Sequence, residues 1–223
     1  MNIKNIFLAA AVVFLYNNAF AQGFEGIIKM SIYNAEKNDK SEIVWKMKGN
    51  KSRLEYVGAS GDKNYNYVLL LSTTEPKAKI LTETNGQKMV YTVGIPSGGT
   101  DNVRYVEHTY TSNNKLIESY HAEQVTIKAA DRRTTCWVSK DVPLTIDMMP
   151  AALKQNGVLN YFFAHKINSF PMEIETLNAE GKVIFSQEVT SVKAANISEN
   201  EFVVGADYVD PAKVLKMEAT PQQ

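Results

Sequence analysis

The sequence predicts a mainly β protein, an antiparallel sheet with one short helical insert covering its apolar face. Two observations predict it. Strand-like runs recur along the 223 residues with Gly, Asn or Pro turn signals between them, at the spacing of roughly 8 to 12 residues that marks an antiparallel meander curled into a sandwich or barrel. Only between Trp137 and Pro171 does the apolar spacing become helical.

Before the first strand, the chain carries Lys4, a continuous apolar run from Ile6 to Leu15, and a close on Ala19-Phe20-Ala21. A basic start, an apolar stretch too short to span a bilayer and small residues at both cleavage-defining positions read as a secretory signal peptide over 1–21, cut between Ala21 and Gln22. Residues 22–223 are then expected to form a single β-rich domain. The residue immediately after the cut is Gln22 and not a cysteine, so the mature chain is not expected to be a lipoprotein. No second apolar run has the length of a transmembrane segment. The expected location is the periplasm or the exterior of the cell, because a leader specifies only the first crossing.

In the first strand, Ile28, Met30 and Ile32 share one face and Lys29, Ser31 and Tyr33 the other. The polar run Asn34 to Lys40 turns the chain, and Ile43, Trp45 and Met47 form the next apolar row. After Gly49-Asn50 the row Leu54 and Tyr56 returns as a hairpin. Gly58 to Asn64 reads as a loop. Tyr65 to Leu71 follows, then Ala78 to Thr82 and Met89 to Val93 around Asn85-Gly86, the strongest hairpin signal in the chain. Gly94 to Thr100 reads as a mobile connection. Next come Val103 to Tyr110, a turn at Asn113-Asn114, Leu116 to Tyr120 and His121 to Lys128, with Trp137 and Val138 closing the section.

The insert is placed at about 141–167. There Met148, Met149, Ala152 and Leu153, and after Gly157 the residues Leu159, Phe162, Phe163 and Ile167, predict two short amphipathic helices joined at the glycine. Met172, Ile174 and Thr176 then alternate with Glu173, Glu175 and Leu177, Asn178 to Gly181 turns, and Val183 to Val192 returns. Phe202 to Tyr208 is read as the last strand, before Pro211 and a tail at Val214 to Met217.

Composition excludes several function classes. Removal of Lys4 with the leader leaves 23 basic against 24 acidic residues, and the longest basic cluster is Arg132-Arg133. Such a chain offers no electrostatic footprint for nucleic acid or an anionic membrane surface. Cys136 stands alone in strand-like company and reads as a small buried hydrophobe. His108, His121 and His165 lack the spacing of a zinc site, and no metal or other cofactor is expected. Ser60, in Gly58-Ala59-Ser60-Gly61, falls one residue short of a nucleophile elbow and reads as turn chemistry. Glu173 and Glu175 share a strand face and read as solvated carboxylates, so no catalytic residue is assigned and the protein is expected not to be an enzyme.

The order of landmarks resembles a known family. Phe24-Glu25-Gly26, the run Trp45-Lys46-Met47-Lys48-Gly49-Asn50-Lys51-Ser52-Arg53, Trp137-Val138-Ser139-Lys140-Asp141, and Phe170-Pro171-Met172-Glu173 are similar to the bacterial envelope family catalogued as domain of unknown function 4412. Members carry a Gly-Tyr-x-Cys element where this chain has Ser119-Tyr120-His121-Ala122, so any role of that cysteine is not carried over. The resemblance implies a LolA/LolB-like fold, a half-open antiparallel β-barrel whose concave face is covered by short helices, and a cavity that takes acyl chains.

Two functions are therefore expected as alternatives. In the first, a non-enzymatic envelope protein binds a lipid, a lipoprotein acyl chain or another apolar ligand through Trp45, Met47, Tyr56, Trp137, Met148, Met149, Leu153, Phe162 and Phe163, since aromatic and methionine side chains suit adaptable apolar sites. In the second, the same residues are plain core, and the chain is a structural or protein-interaction module of the envelope.

Overall fold

The structure, a computed structural model, describes residues 23–95, 105–154 and 157–212. The leader with its Ala21/Gln22 junction, most of the connection between Gly94 and Thr100, and the tail at Val214 to Met217 lie outside the described residues.

Period-two apolar alternation makes strands of nearly all the predicted runs: β1 (Gly26–Asn34), β2 (Asp39–Lys48), β3 (Lys51–Ser60), β4 (Lys63–Ser72), β5 (Lys77–Thr84), β6 (Gln87–Gly94), β7 (Tyr105–Ile117), β8 (Tyr120–Ala129), β9 (Arg132–Ser139), β10 (Phe170–Asn178) and β11 (Val183–Ala194). They form one 11-stranded antiparallel sheet in the order β6-β5-β4-β3-β2-β1-β11-β10-β9-β8-β7. β6 and β7 are its edges, so the sheet is an open half-barrel rather than a closed one. Register shifts at Lys29/Met30, Pro171/Glu173, Thr176/Leu177 and Tyr110/Asn114 bend the strands, as bulges do.

Register brings the predicted apolar rows together. Trp45 stands between Ile28 and Leu54, and Cys136 between Val125 and Ile174. Cys136 is fully buried, and burial pushes its thiol pKa up, which leaves an inert hydrophobe. The buried hydroxyls of Thr134 and Thr176 satisfy each other at 3.0 Å across β9 and β10.

The turns follow their chemistry in most places. Asn85 and Gly86 both have positive φ, 52° and 76°, the backbone that a two-residue hairpin of primed type requires. Two expectations are corrected. Gly58 to Asn64 is not a loop: β3 runs to Ser60, and Gly61-Asp62 alone turns the chain. Nor is Asn113-Asn114 a hairpin turn. Both residues lie inside β7, where a bulge lets Asn113 Nδ2 donate to Gln124 Oε1 at 2.8 Å, and the chain reverses at Glu118 and Ser119 with φ of 49° and 70°.

The insert is helical but shorter than its apolar spacing indicates. It comprises a 3₁₀ turn (Ile146–Met148), α1 (Ala151–Lys154) and α2 (Gly157–Ala164). Pro150 excludes Met148 and Met149 from α1, because the residue before a proline is driven to extended backbone, and Met149 has φ −73° and ψ 145°. Ile167 also lies outside its helix. Lys166 adopts φ 54°, its N–H donates to the Phe163 carbonyl at 3.3 Å, and the Ile167 N–H donates to the Phe162 carbonyl at 2.9 Å. That is a Schellman cap, whose hydrophobic contact mimics helical spacing.

Phe202 to Tyr208 is not a strand. The chain after β11 crosses the sheet face opposite the helices, forming a 3₁₀ turn at Glu199–Phe202. Lys46, Arg53 and Glu55, which alternate with Trp45 and Leu54, meet it there. Lys46 Nζ lies 2.9 Å from both Glu55 and Glu201, and Arg53 Nε lies 2.7 Å from Glu55. Glu25 accepts the Ile197 N–H at 2.7 Å. Further on, Val209 bonds to Lys88 and Val90, covering the edge of β6.

Candidate functional site

Between the apolar sheet face and the helical insert lies a cavity of about 540 Å³. Its floor comes from alternate residues of adjacent strands: Met30 and Ile32 of β1, Ile43 and Trp45 of β2, Leu54 and Tyr56 of β3, Ile174 of β10, and Phe185 and Gln187 of β11. Its roof is Met149, Leu153 of α1, and Gly157, Val158 and Leu159 of α2. The exposed Glu36 and Lys37 of the β1–β2 turn, with Asn34 and Arg132, rim one end. The volume lies in the range of sites for small ligands, roughly 300–1,000 Å³.

The predicted site residues divide. Trp45, Tyr56, Met149 and Leu153 line the cavity together. Met47 and Phe162 are buried in the solid core beside it. Met148 packs towards Gly23, its Cε 3.3 Å from where a Cβ on that glycine would stand. Phe163 is 47% exposed on the outer side of α2. Trp137 points to the opposite sheet face, since its neighbours Cys136 and Val138 point inward, and Lys115 Nζ sits over its ring at 4.4 Å. The lining residues not singled out from sequence, Ile43, Ile174 and Phe185 among them, share the inward parity of their strands. That parity was the signal that could have found them.

Polar side chains in the lining away from the rim are Tyr56, Thr176 and Gln187. The ring of Tyr56 stacks on Tyr67 with centroids 4.7 Å apart, and burial pushes its hydroxyl pKa up, assisted by Tyr67 and Tyr65, so it stays protonated. Trp45 is 2% exposed, and its Nε1 is buried with no hydrogen-bond partner among the described residues. A second, more open groove of about 1130 Å³ runs past Tyr33, Lys40, Glu42, Asn64 and Tyr65. No residue of the insert contributes to it, so it encloses an apolar molecule less completely than the cavity does.

Two of the three histidines meet on the outer side of α2. His108 Nδ1 lies 3.0 Å from Tyr161 Oη, and His165 stacks on Tyr161 at 4.1 Å, while His121 stands apart beside Asp141. No group of three or more His, Cys, Asp or Glu side chains that could hold a metal occurs among the described residues. Glu173 meets Lys115 at 2.5 Å on the face away from the cavity, and Ser60 Oγ donates to the Lys37 carbonyl. None of these groups adjoins the cavity as a nucleophile–base pair. Among the described residues no helix is long and apolar enough to cross a membrane.

Comparison with solved structures finds similar strand arrangements at low identity. A crystal structure of MucB shares 10% identity at a TM-score of 0.46, covering 89% of this chain and 64% of that one. The complex of Pseudomonas aeruginosa MucA/MucB gives 11% and 0.44, covering 83% and 56%. A domain described as an outer membrane lipoprotein-sorting protein from Vibrio parahaemolyticus gives 9% and 0.29, covering 79% and 87%. The chain thus spans less than two thirds of the MucB chains. No curated protein matches it. The model of one family, described as Domain of unknown function (DUF4412), matches residues 24–208, and the chain belongs to that family.

Proposed function

We propose that this protein is an exported, non-enzymatic component of the bacterial envelope that holds an apolar molecule, a lipid or the acyl chain of a lipoprotein, in the cavity beneath its helical insert. The leader over 1–21 is the export signal, and residues 22–223 act as one domain in the periplasm. The cavity itself carries this reading. A solid core would close about 540 Å³ of space between Ile43, Ile174, Met149 and Leu153, because interiors pack with few voids larger than a water molecule. Apolar side chains at Ile43, Ile174, Met149 and Leu153 with charged groups at Glu36, Lys37 and Arg132 suit an amphiphile whose chain is inside and whose head meets water.

The test is native mass spectrometry with organic extraction, on mature protein purified from a periplasm without detergent. A reproducible added mass that extracts as a lipid is expected from the unmodified protein. It should be lost in Leu153→Trp, which fills the cavity from the roof. A clean apo mass that persists after incubation with envelope lipids would contradict the proposal.

The second reading, a protein-interaction module with a filled core, draws on the complete burial of Phe162 and Met172 and on β7, the edge strand among the described residues, with Leu116 64% exposed. An envelope protein retained by the mature chain, and lost when β7 carries a proline at Leu116, would favour it.

A further inference from the structure

We infer that the cavity takes one alkyl chain and no second, so that its occupant is a single-chain amphiphile, a lysophospholipid or a fatty acid, of up to about eighteen carbons. The inference rests on the reading of the cavity as a ligand site and specifies the chemistry of its occupant.

Register gives the cavity its shape. Asn34 pairs with Phe185, Phe185 with Thr176, and Thr176 with Thr134, two positions from Arg132. The rim groups Asn34, Glu36, Lys37 and Arg132 therefore share one end of the sheet. At the other end the lining is Trp45, Leu54 and Phe170, which are 2%, 2% and 1% exposed. The cavity ends blind against these packed side chains. Leu54 pairs with Trp45, six positions along β2 from Asp39, the partner of Asn34, so the cavity runs roughly 20 Å inward from the rim. Thr176 lies in the rim row and Gln187, paired with Ile32, two positions inside it, which leaves the deeper lining alkyl and aromatic.

Volume then sets the number of chains. About 540 Å³ spread over that length has the section of one close-packed chain. A methylene needs about the space of a water, about 30 Å³, so the cavity fills with about eighteen carbons. A second chain finds no room beside the first, and the blind end gives it no other way in. Each methylene then left in water costs about fourfold in affinity. The head stays at the rim, where Glu36, Lys37 and Arg132 offer both signs of charge.

The test presents chains to the mature protein in vesicles of dioleoyl phosphatidylcholine. These carry equal small amounts of palmitate and of saturated lysophosphatidylcholines with fourteen to twenty-two carbons, and native mass spectrometry reads the adducts after the vesicles are removed. The diacyl host is itself the two-chain competitor, in large excess. Adducts of lysolipid or of palmitate are expected, and their ratio tells which class supplies the chain. Occupancy should be level up to about eighteen carbons and fall about fourfold per further methylene, because leaving a bilayer for the cavity is neutral only while the chain fits. Phe185→Ala, which removes a ring from the lining at a half-buried position, should move that break to longer chains by about three carbons. A diacyl adduct as abundant as the lysolipid adducts, or level occupancy through twenty-two carbons, would overturn the inference and leave the cavity reading standing. No adduct of any kind, or a break that Phe185→Ala does not move, would overturn both.

Discussion

Phe162 and Phe163 are adjacent in α2, and the same substitution at each should have opposite consequences. Phe162 is 0% exposed and packs into the core, whereas Phe163 is 47% exposed. A phenylalanine side chain presents on the order of 150–200 Å² of surface, so full burial contributes about 4–5 kcal/mol at about 25 cal/mol per Å². Phe162→Ala removes that burial and leaves a void that rigid strands on one side prevent from collapsing, so a loss of about 3–5 kcal/mol is expected. Phe163→Ala gives up only the burial of the covered half of the side chain and leaves no enclosed void, and about 2 kcal/mol or less is expected. Urea unfolding of the mature protein, followed by circular dichroism with a common m-value, reads both variants. Equal losses, or a larger loss at Phe163, would show that α2 is rotated or detached, and the cavity roof would go with it.

Three further outcomes are expected. Hydrogen bonds hold the carboxyls of Glu25, Glu199 and Glu55 below their ordinary pKa of 4.5: the Ile197 N–H and then Lys48 act on Glu25, Lys51 on Glu199, and Arg53 and Lys46 on Glu55 against its burial. Their contribution is complete above that value and lost as pH falls through the lowered folded values. Urea midpoints should therefore fall between pH 5 and pH 3, and Glu25→Gln should flatten the fall; an unchanged slope would contradict the sign. Glu55→Ala leaves the half-buried Lys46 and Arg53 with Glu201 alone, and a loss of about 1–2 kcal/mol is expected, between the values for exposed and buried pairs, with a cycle against Glu201→Ala showing coupling. Glu118 and Ser119 both hold left-handed backbone, so Glu118→Asn with Ser119→Gly should stabilise the β7–β8 hairpin by about 1–2 kcal/mol and raise Tm; a lowered Tm would contradict the turn.

Most of the sheet was legible because its information is local. The alternations at Ile28/Met30/Ile32 and Ile43/Trp45/Met47 encode both strand and face, and Asn85-Gly86 encodes its own turn. Misreadings arose where one local pattern serves two structures. Asn113-Asn114 has turn chemistry but is used for a bulge, while Glu118-Ser119 turns without it. Ile167 follows Phe162 at a spacing that fits a helix and equally the hydrophobic contact of a helix cap. At Met149, Pro150 was the stronger signal and overrides the apolar spacing. Phe202 to Tyr208 alternates weakly, and the pull of Lys46 and Arg53 on Glu201, 155 and 148 residues apart in sequence, is invisible locally. The site was half legible for a related reason. Apolar and aromatic content identifies residues that face inward, but whether they meet solid core, as Met47 and Phe162 do, or open space, as Trp45, Tyr56 and Leu153 do, depends on what the roof places opposite them.

A crystal structure of the mature protein, purified from a periplasm without detergent and never delipidated, tests the central claim most directly. Continuous elongated density is expected between Trp45 and Ile174 below and Met149 and Leu153 above. A cavity closed by inward movement of Met149 and Leu153, or filled only with discrete waters, would contradict it.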